Sequence, residues 1–422
     1  MNKITTLKKL GASITAGAVL LSTFAVPAFA DTNLLESGNG TGTIQNVNVN
    51  SNNNTTSVQS NNAVVTNTVT SNSTTGDNDS SANTGGNVAI NTGSTSSTTQ
   101  IQNNLNSNQA QVAGCASCGT TGSLNAAITG NGANSTDNTN VNNNSNVSAF
   151  QNNNAIVNNH VDTNSTTGNN TANANTGGAG GGSVAINTGW AVANTAVGTQ
   201  ANANVAVVGG AANGNVAGGT NLLESGNGTG SHNNVNLSSN QSAQVAQDNS
   251  AYVTNYVTSN LKTGLNDASA NTGVGSVAIN TGAAVANTAL GTSVNENVAA
   301  VGCDCVAEGA LNAKIGGNGA FAADNLNVNN TGDTSVFQGG QGAGNQAFVL
   351  NAATNNGFTG TNASNANTSG LLFDPETINT GASYSTTTVQ TAGNSNIFTT
   401  ASFPDVNFGF NMNQLWTGLF GM

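Results

Sequence analysis

Between Thr263 and Thr292 the chain reads TGLNDASANTGVGSVAINTGAAVANTALGT, with Gly264, Gly273, Gly282 and Gly291 each nine residues apart. Three of these glycines follow Thr, and two close the tetrapeptides Ala270-Asn271-Thr272-Gly273 and Ile279-Asn280-Thr281-Gly282. Between the turns lie short alternating runs such as Val277-Ala278-Ile279, whose outer members share one face of a strand. A turn signal at every ninth position leaves room for only short strands, which is the demand of a coiled β architecture. No globular enzyme core has this pattern.

At longer range the chain divides into four related units of about 90 residues. A Gly-Asn-Gly turn stands at Gly38-Asn39-Gly40, Gly130-Asn131-Gly132, Gly226-Asn227-Gly228 and Gly317-Asn318-Gly319. The motif Ile-Asn-Thr-Gly begins at Ile90, Ile186, Ile279 and Ile378. Between these marks runs a Gln-led strand, at Gln59 to Val65, Gln151 to Val157, Gln247 to Val253 and, more loosely, Gln341 to Val349. Units one and three share the opening Asn-Leu-Leu-Glu-Ser-Gly-Asn-Gly-Thr-Gly, so a duplicated pair is the simplest history. The expected organisation is a leader over 1–30, solenoid units over 31–122, 123–218, 219–309 and 310–395, and a distinct segment over 396–422. In the fourth unit Leu371-Leu372-Phe373-Asp374-Pro375-Glu376 interrupts the ladder, as terminal repeats of stacked arrays often do.

These marks predict an all-β fold, a parallel β-solenoid (β-helix or β-roll) of four tandem units that follows a cleaved signal helix. The alternative is four tandem β-sandwich domains, whose usual size is about 100 residues. A sandwich, however, asks for strong hydrophobes on every strand, whereas a solenoid fills a narrow interior with Val, Ile, Ala and Thr and stacks Asn in ladders. Two nine-residue half-turns would make a coil of roughly eighteen residues rising about 4.8 Å, hence about twenty coils in a rod on the order of 95 Å long. In that register Ile279 faces inward and Asn280 faces water.

Composition narrows the function classes. There is no Arg, and Lys occurs only at positions 3, 8, 9, 262 and 314, against 17 carboxylates. Such a chain lacks the clustered cations that nucleic acid or anionic lipid requires. Low charge with abundant Asn, Thr, Ser and Gly also fits disorder, but the apolar residues alternate in register with the repeat. Lys3, Lys8 and Lys9, the apolar run from Ile14 to Val26 and the small-x-small site Ala28-Phe29-Ala30 read as a secretory signal. No later stretch is apolar enough to span a membrane as a helix. The expected location is therefore extracellular or on the cell surface.

The leader, the Ala-Asn-Thr-Gly and Ile-Asn-Thr-Gly motifs and the Asn/Thr/Gly ladder together resemble exported β-solenoid repeat proteins of bacterial surfaces, which include surface-layer, fibre and adhesin types. The strand Gln247 to Val253 also resembles curlin repeats, whose fuller Gln-x-Gly-x-x-Asn-x-Ala spacing is approached at Gln341, Asn345 and Ala347. The resemblance implies a non-enzymatic structural protein that self-associates into a surface layer or fibre, or an adhesin that meets glycans or cell-envelope components.

Few residues offer chemistry. Cys115 and Cys118 stand between units one and two, and Cys303 and Cys305 between three and four. In an exported chain local disulfides are the default, with intermolecular crosslinks and metal or redox roles as alternatives. His160 and His232 are the only imidazoles and occupy non-matching positions. The nearest carboxylate pairs are Asp77/Asp79 and Asp374/Glu376, both in turn-like stretches. No catalytic residue, cofactor site or metal site is predicted. Thr66-x-Thr68 is a single instance of a water-ordering array and is not repeated. Finally, Phe398, Phe403, Phe408, Phe410, Trp416 and Phe420 crowd the C-terminus, where they read as a cap or as an assembly segment.

Overall fold

A computed structural model describes residues 13–16, 20–25, 32–112, 124–177, 181–208, 220–301, 311–339, 344–369 and 376–399. The described residues are strands and turns without a helix, and strand pairs with strand in parallel throughout.

Corresponding segments of the four units lie beside one another. The opening strands β3 (Thr32–Ser37), β7 (Leu124–Thr129), β11 (Thr220–Ser225) and β16 (Leu311–Gly316) form one sheet. The long strands β4 (Ile44–Gly76), β8 (Thr136–Gly168) and β12 (His232–Lys262) form a second, which β17 (Ala323–Gln338) and β18 (Gln346–Phe358) continue. The Val-Ala-Ile-Asn strands β5 (Val88–Asn91), β9 (Val184–Asn187) and β14 (Val277–Asn280), with β20 (Glu376–Asn379), form a third. The returning strands β6 (Thr95–Val112), β10 (Ala191–Val208), β15 (Ala284–Val301) and β21 (Ser383–Thr399) form a fourth. A small pair, β13 (Thr272–Val274) and β19 (Thr368–Ser369), completes the set.

Between the units, the partner of a residue is therefore 91 to 99 positions away, as with Asn67 and Asn159 (92), Asn159 and Asn255 (96), Asn233 and Asp324 (91), or Asn297 and Asn396 (99). This corrects the eighteen-residue coil. One whole unit makes one layer, and nine-residue steps run along a layer, not between layers. The rod on the order of 95 Å is replaced by a stack only four layers deep, about 15–20 Å at the usual strand spacing. Each layer is wide instead, since a 33-residue strand has a contour on the order of 110 Å.

Within a layer the chain doubles back. Ser71 Oγ meets Ser97 Oγ at 2.6 Å, and Thr75 Oγ1 donates to the Gly93 carbonyl at 2.8 Å, so the end of β4 faces the start of β6. Further along, Gln59 donates to the Gln109 carbonyl at 2.9 Å. The interior lies between these two walls. It holds small clusters such as Ile101, Val161, Val197, Val257 and Leu290. A separate cluster, Val88, Ile90, Val184, Ile186, Val277 and Ile279, packs with Ala172 and Ala268 of the segments that follow the long strands. Ile279 is fully buried, as its parity in the strand demands.

Glycine is needed where the layers turn corners on top of one another. Gly76, Gly168, Gly264 and Gly360 form one such column, and a Cβ on Gly168 would collide with the carbonyl oxygen of Gly264. A second device re-aims the returning strand. Asn106, Asn202, Asn295 and Asn394 all adopt φ between 54° and 63°, a left-handed conformation that Asn tolerates. Before this bulge Ile101 and Asn103 are buried; after it Asn108, Ala110 and Val112 are, so the inward parity shifts by one.

The leader also differs from expectation. Its described parts, β1 (Ser13–Ala16) and β2 (Leu20–Ala25), are strands that pair in parallel with β6, Ile14 opposite Ile101 and Leu20 opposite Ser107. The edge of β6 carries unpaired N–H and C=O groups, and an apolar, β-branched segment can satisfy them. Among the described residues no helix is long and apolar enough to cross a membrane.

Candidate functional site

The most distinctive chemistry lies in columns of buried amides between the walls. Gln59, Gln151, Gln247 and Gln338 stand in register, each donating to the residue before it at 2.7, 2.8 and 2.9 Å. The other N–H of each crosses to a carbonyl of the facing wall at 2.9 Å, on Gln109, Val205, Val298 and Ile397. Here Gln338 takes the fourth-unit place that the sequence assigned to Gln341, which lies outside the described residues. The chain between Gln338 and Asn345 is longer than its counterparts, so the column is regained only at Asn345, opposite Asn249.

A second column zigzags across the interior. Asn61, Asn108, Asn153, Asn204, Asn249, Asn297, Asn345 and Asn396 each donate to the next at 2.7 to 3.0 Å. A third runs from Asn67 through Asn159 and Asn255 to Asn351, at 2.7, 2.6 and 2.6 Å. Burying an amide is costly unless its donors and acceptor are met. Here each amide is met by its own copy one layer away, so identical residues at identical places solve the problem at once. This requirement fixes the register more tightly than the small apolar residues can.

One column carries a buried carboxylate. Glu36, Ile128, Glu224 and Ile315 are aligned, so Glu224 lies between two isoleucines. Burial pushes its pKa up to about 7, while the hydroxyl of Thr139, 2.8 Å away, partly offsets the shift. The nearby Asp137 and Asp324 raise it further. Burial also raises the pKa of Asp137, against hydrogen bonds from Asn131 and Ser135.

The sequence candidates fare unevenly. Cys115, Cys118, Cys303 and Cys305 lie outside the described residues, as do Asp374, Phe403, Phe408, Phe410, Trp416 and Phe420. Phe398 is described: it ends the column Ala110, Ala206, Ala299 on the last layer and is half exposed. His160 is exposed beside Asp162, 3.1 Å away on the same strand face, and His232 begins β12 in another layer. Asp77 accepts from Asn169, Asp79 accepts from Ser81, and Glu376 opens β20. No group of three potential metal ligands occurs among the described residues. On the outer face of the long sheet, Tyr252 stacks on Phe348 with centroids 4.7 Å apart, and Tyr256, half exposed, lies four residues further along the same strand.

The amide columns were only partly legible. The Gln-led strands pointed to one column, but the zigzag required knowing which strands face each other. No known protein family, curated protein or solved structure matches the chain.

Proposed function

We propose that this chain is a non-enzymatic structural protein exported to the bacterial exterior, where it self-assembles as the building block of a surface layer or fibre. The single observation that carries this reading is the filling of the interior by in-register amide columns, repeated layer after layer. That arrangement commits the chain's polar groups to cohesion, and among the described residues no group of three potential metal ligands occurs. The segment Lys3 to Ala30 supports export as a cleaved signal, and the aromatic residues of 396–422 support a role in anchoring or assembly. The two lysines left after leader removal argue against nucleic acid as a partner. Negative-stain microscopy of the purified leaderless protein tests the reading: ordered sheets or fibres are expected, and particles that stay monodisperse at every concentration overturn it.

A second reading, an adhesin or glycan-binding stalk, is favoured by the stacked Tyr252 and Phe348 on the outer face. Aromatic faces suit the apolar side of a sugar ring, and neighbouring Asn and Thr side chains suit its hydroxyls. A glycan array probed with wild type and Tyr252→Ala distinguishes the two, since the structural reading expects no sugar-dependent signal from either.

A further inference from the structure

The stack ends in two layers with unequal surroundings. At the unit-four end the inward side chains are uncovered. Val389 is 51% exposed, while Leu290, its partner one layer in, is wholly buried. The same holds for Leu326, Val328 and Ile378 against Val235, Leu237 and Ile279. These residues lie along an edge whose backbone groups have no following strand among the described residues. At the unit-one end, the edge of β6 already accepts a further parallel strand, because β1 and β2 lie on it.

We propose that the occupant of the unit-four edge is the unit-one edge of a second copy of this chain, so that copies stack head to tail once the leader is removed. This rests on the self-assembly reading above and names its interface. The argument is that the chain already makes this contact with itself three times. Ile101, Val197, Leu290 and Val389 occupy one column, and a following Ile101 would continue it. The Asn column ending at Asn351 would meet a following Asn67. Each buried side chain would find the type of neighbour it has within the chain, and the edge backbone groups would be paired. Because the two surfaces differ, the contact is heterologous and does not close on itself, which makes an open filament. The leader strands occupy the β6 edge, so the unprocessed chain is capped there.

The test uses the leaderless chain and two variants, each blocked at one end. Val389→Lys places an ammonium on the unit-four edge, and Ile101→Lys places one at the matching place on the unit-one edge. Each variant alone is expected to raise the critical concentration for assembly about a hundredfold or more, because an unpaired charge would be buried between layers. Mixed together, they are expected to form 1:1 heterodimers through their two intact edges and to stop there, read by analytical ultracentrifugation. Small amounts of Val389→Lys should also cap wild-type growth. If Ile101→Lys does not fold, the pair Val389→Cys and Ile101→Cys serves instead. Adjacent strands bring their Cα atoms within disulfide reach, and peptide mapping should find the link between the two introduced thiols in assembled material. Wild type that assembles while both lysine variants assemble equally well overturns end-to-end stacking and leaves the self-assembly reading standing. Loss of assembly with Val389→Lys but not with Ile101→Lys means that unit-four edges meet each other, which also overturns it. Wild type that never assembles overturns the self-assembly reading itself.

Discussion

The third layer and the fourth keep the same register and, at key places such as Ile279/Ile378 and Asn297/Asn396, the same residue, yet they differ in burial. Ile279 is wholly buried, and Ile378, its neighbour in the same column, is 45% exposed. Asn204 and Asn297 are sealed between the walls, whereas Asn396, at the end of the zigzag, is exposed. The lesson is that doubling back within a layer hides only part of a side chain. The rest is hidden by the layer above and the layer below, so stability resides largely in stacking, as in other repeat architectures.

The sharpest way to break this comparison is one substitution made twice in one column. Ile279→Asp should cost roughly 4 kcal/mol or more, because the charge would be buried without a partner. Ile378→Asp should cost about 1 kcal/mol or less, since its carboxylate reaches solvent. Equal losses in chemical denaturation would show that the layers are not the unit of burial.

The amide columns offer a second contrast. Asn204 accepts from Asn108 and Asn153 and donates to Asn249 and Asn297, so Asn204→Ala strands several buried groups. At about 1–3 kcal/mol for a stranded group, a total loss of about 3 kcal/mol is expected after partial rearrangement. Asn396→Ala should cost less than about 1 kcal/mol, because water replaces the lost partners.

Glu224 sharpens the same point through pH. The folded chain holds the proton more tightly than the unfolded chain, whose carboxyl has the ordinary value of 4.5. Its favourable contribution is therefore complete below about pH 4.5 and is lost as pH rises through 7. Glu224→Gln should be nearly neutral at pH 4 and should stabilise by up to about 3 kcal/mol at pH 8, read as a shift in Tm. A substitution whose effect does not change with pH would mean that Ile128 and Ile315 do not exclude water from this carboxyl.

The smallest effect belongs to Asn280. Its outward amide donates to Asn187 at 2.9 Å and accepts from Asn379 at 2.7 Å, but the column is open to water. Asn280→Ala should change stability by less than about 1 kcal/mol. A loss matching that of Asn204→Ala would place the outer Asn ladder on a par with the inner one.

Much of this fold was legible in the residues. The alternation of Val277 and Ile279 identified the inward face, and the Gly-Asn-Gly and Ile-Asn-Thr-Gly marks fall opposite one another in the sheets. The same marks also held the signal for layer size. Only a shift of 91 to 99 residues places Asn on Asn, Gln on Gln and corner glycine on corner glycine together. A nine-residue shift matches the turns alone. The column through Asn106, Asn202, Asn295 and Asn394 was hidden, because a left-handed Asn within a strand has the same letter as any other.

By itself, then, the sequence determined that the chain forms parallel β structure with an interior of small residues and turns at its glycines, while the short coil it suggested was wrong. These properties follow from local rules: turn chemistry at glycine, and alternation along a strand. Only the tertiary structure decided that a layer takes a whole unit, that Asn108 lies between Asn61 and Asn153, and that Glu224 lies between two isoleucines. The physical reason is that a backbone strand pairs equally well with many partners. The choice among them is made by buried side chains from distant parts of the chain, which must satisfy one another's hydrogen bonds simultaneously.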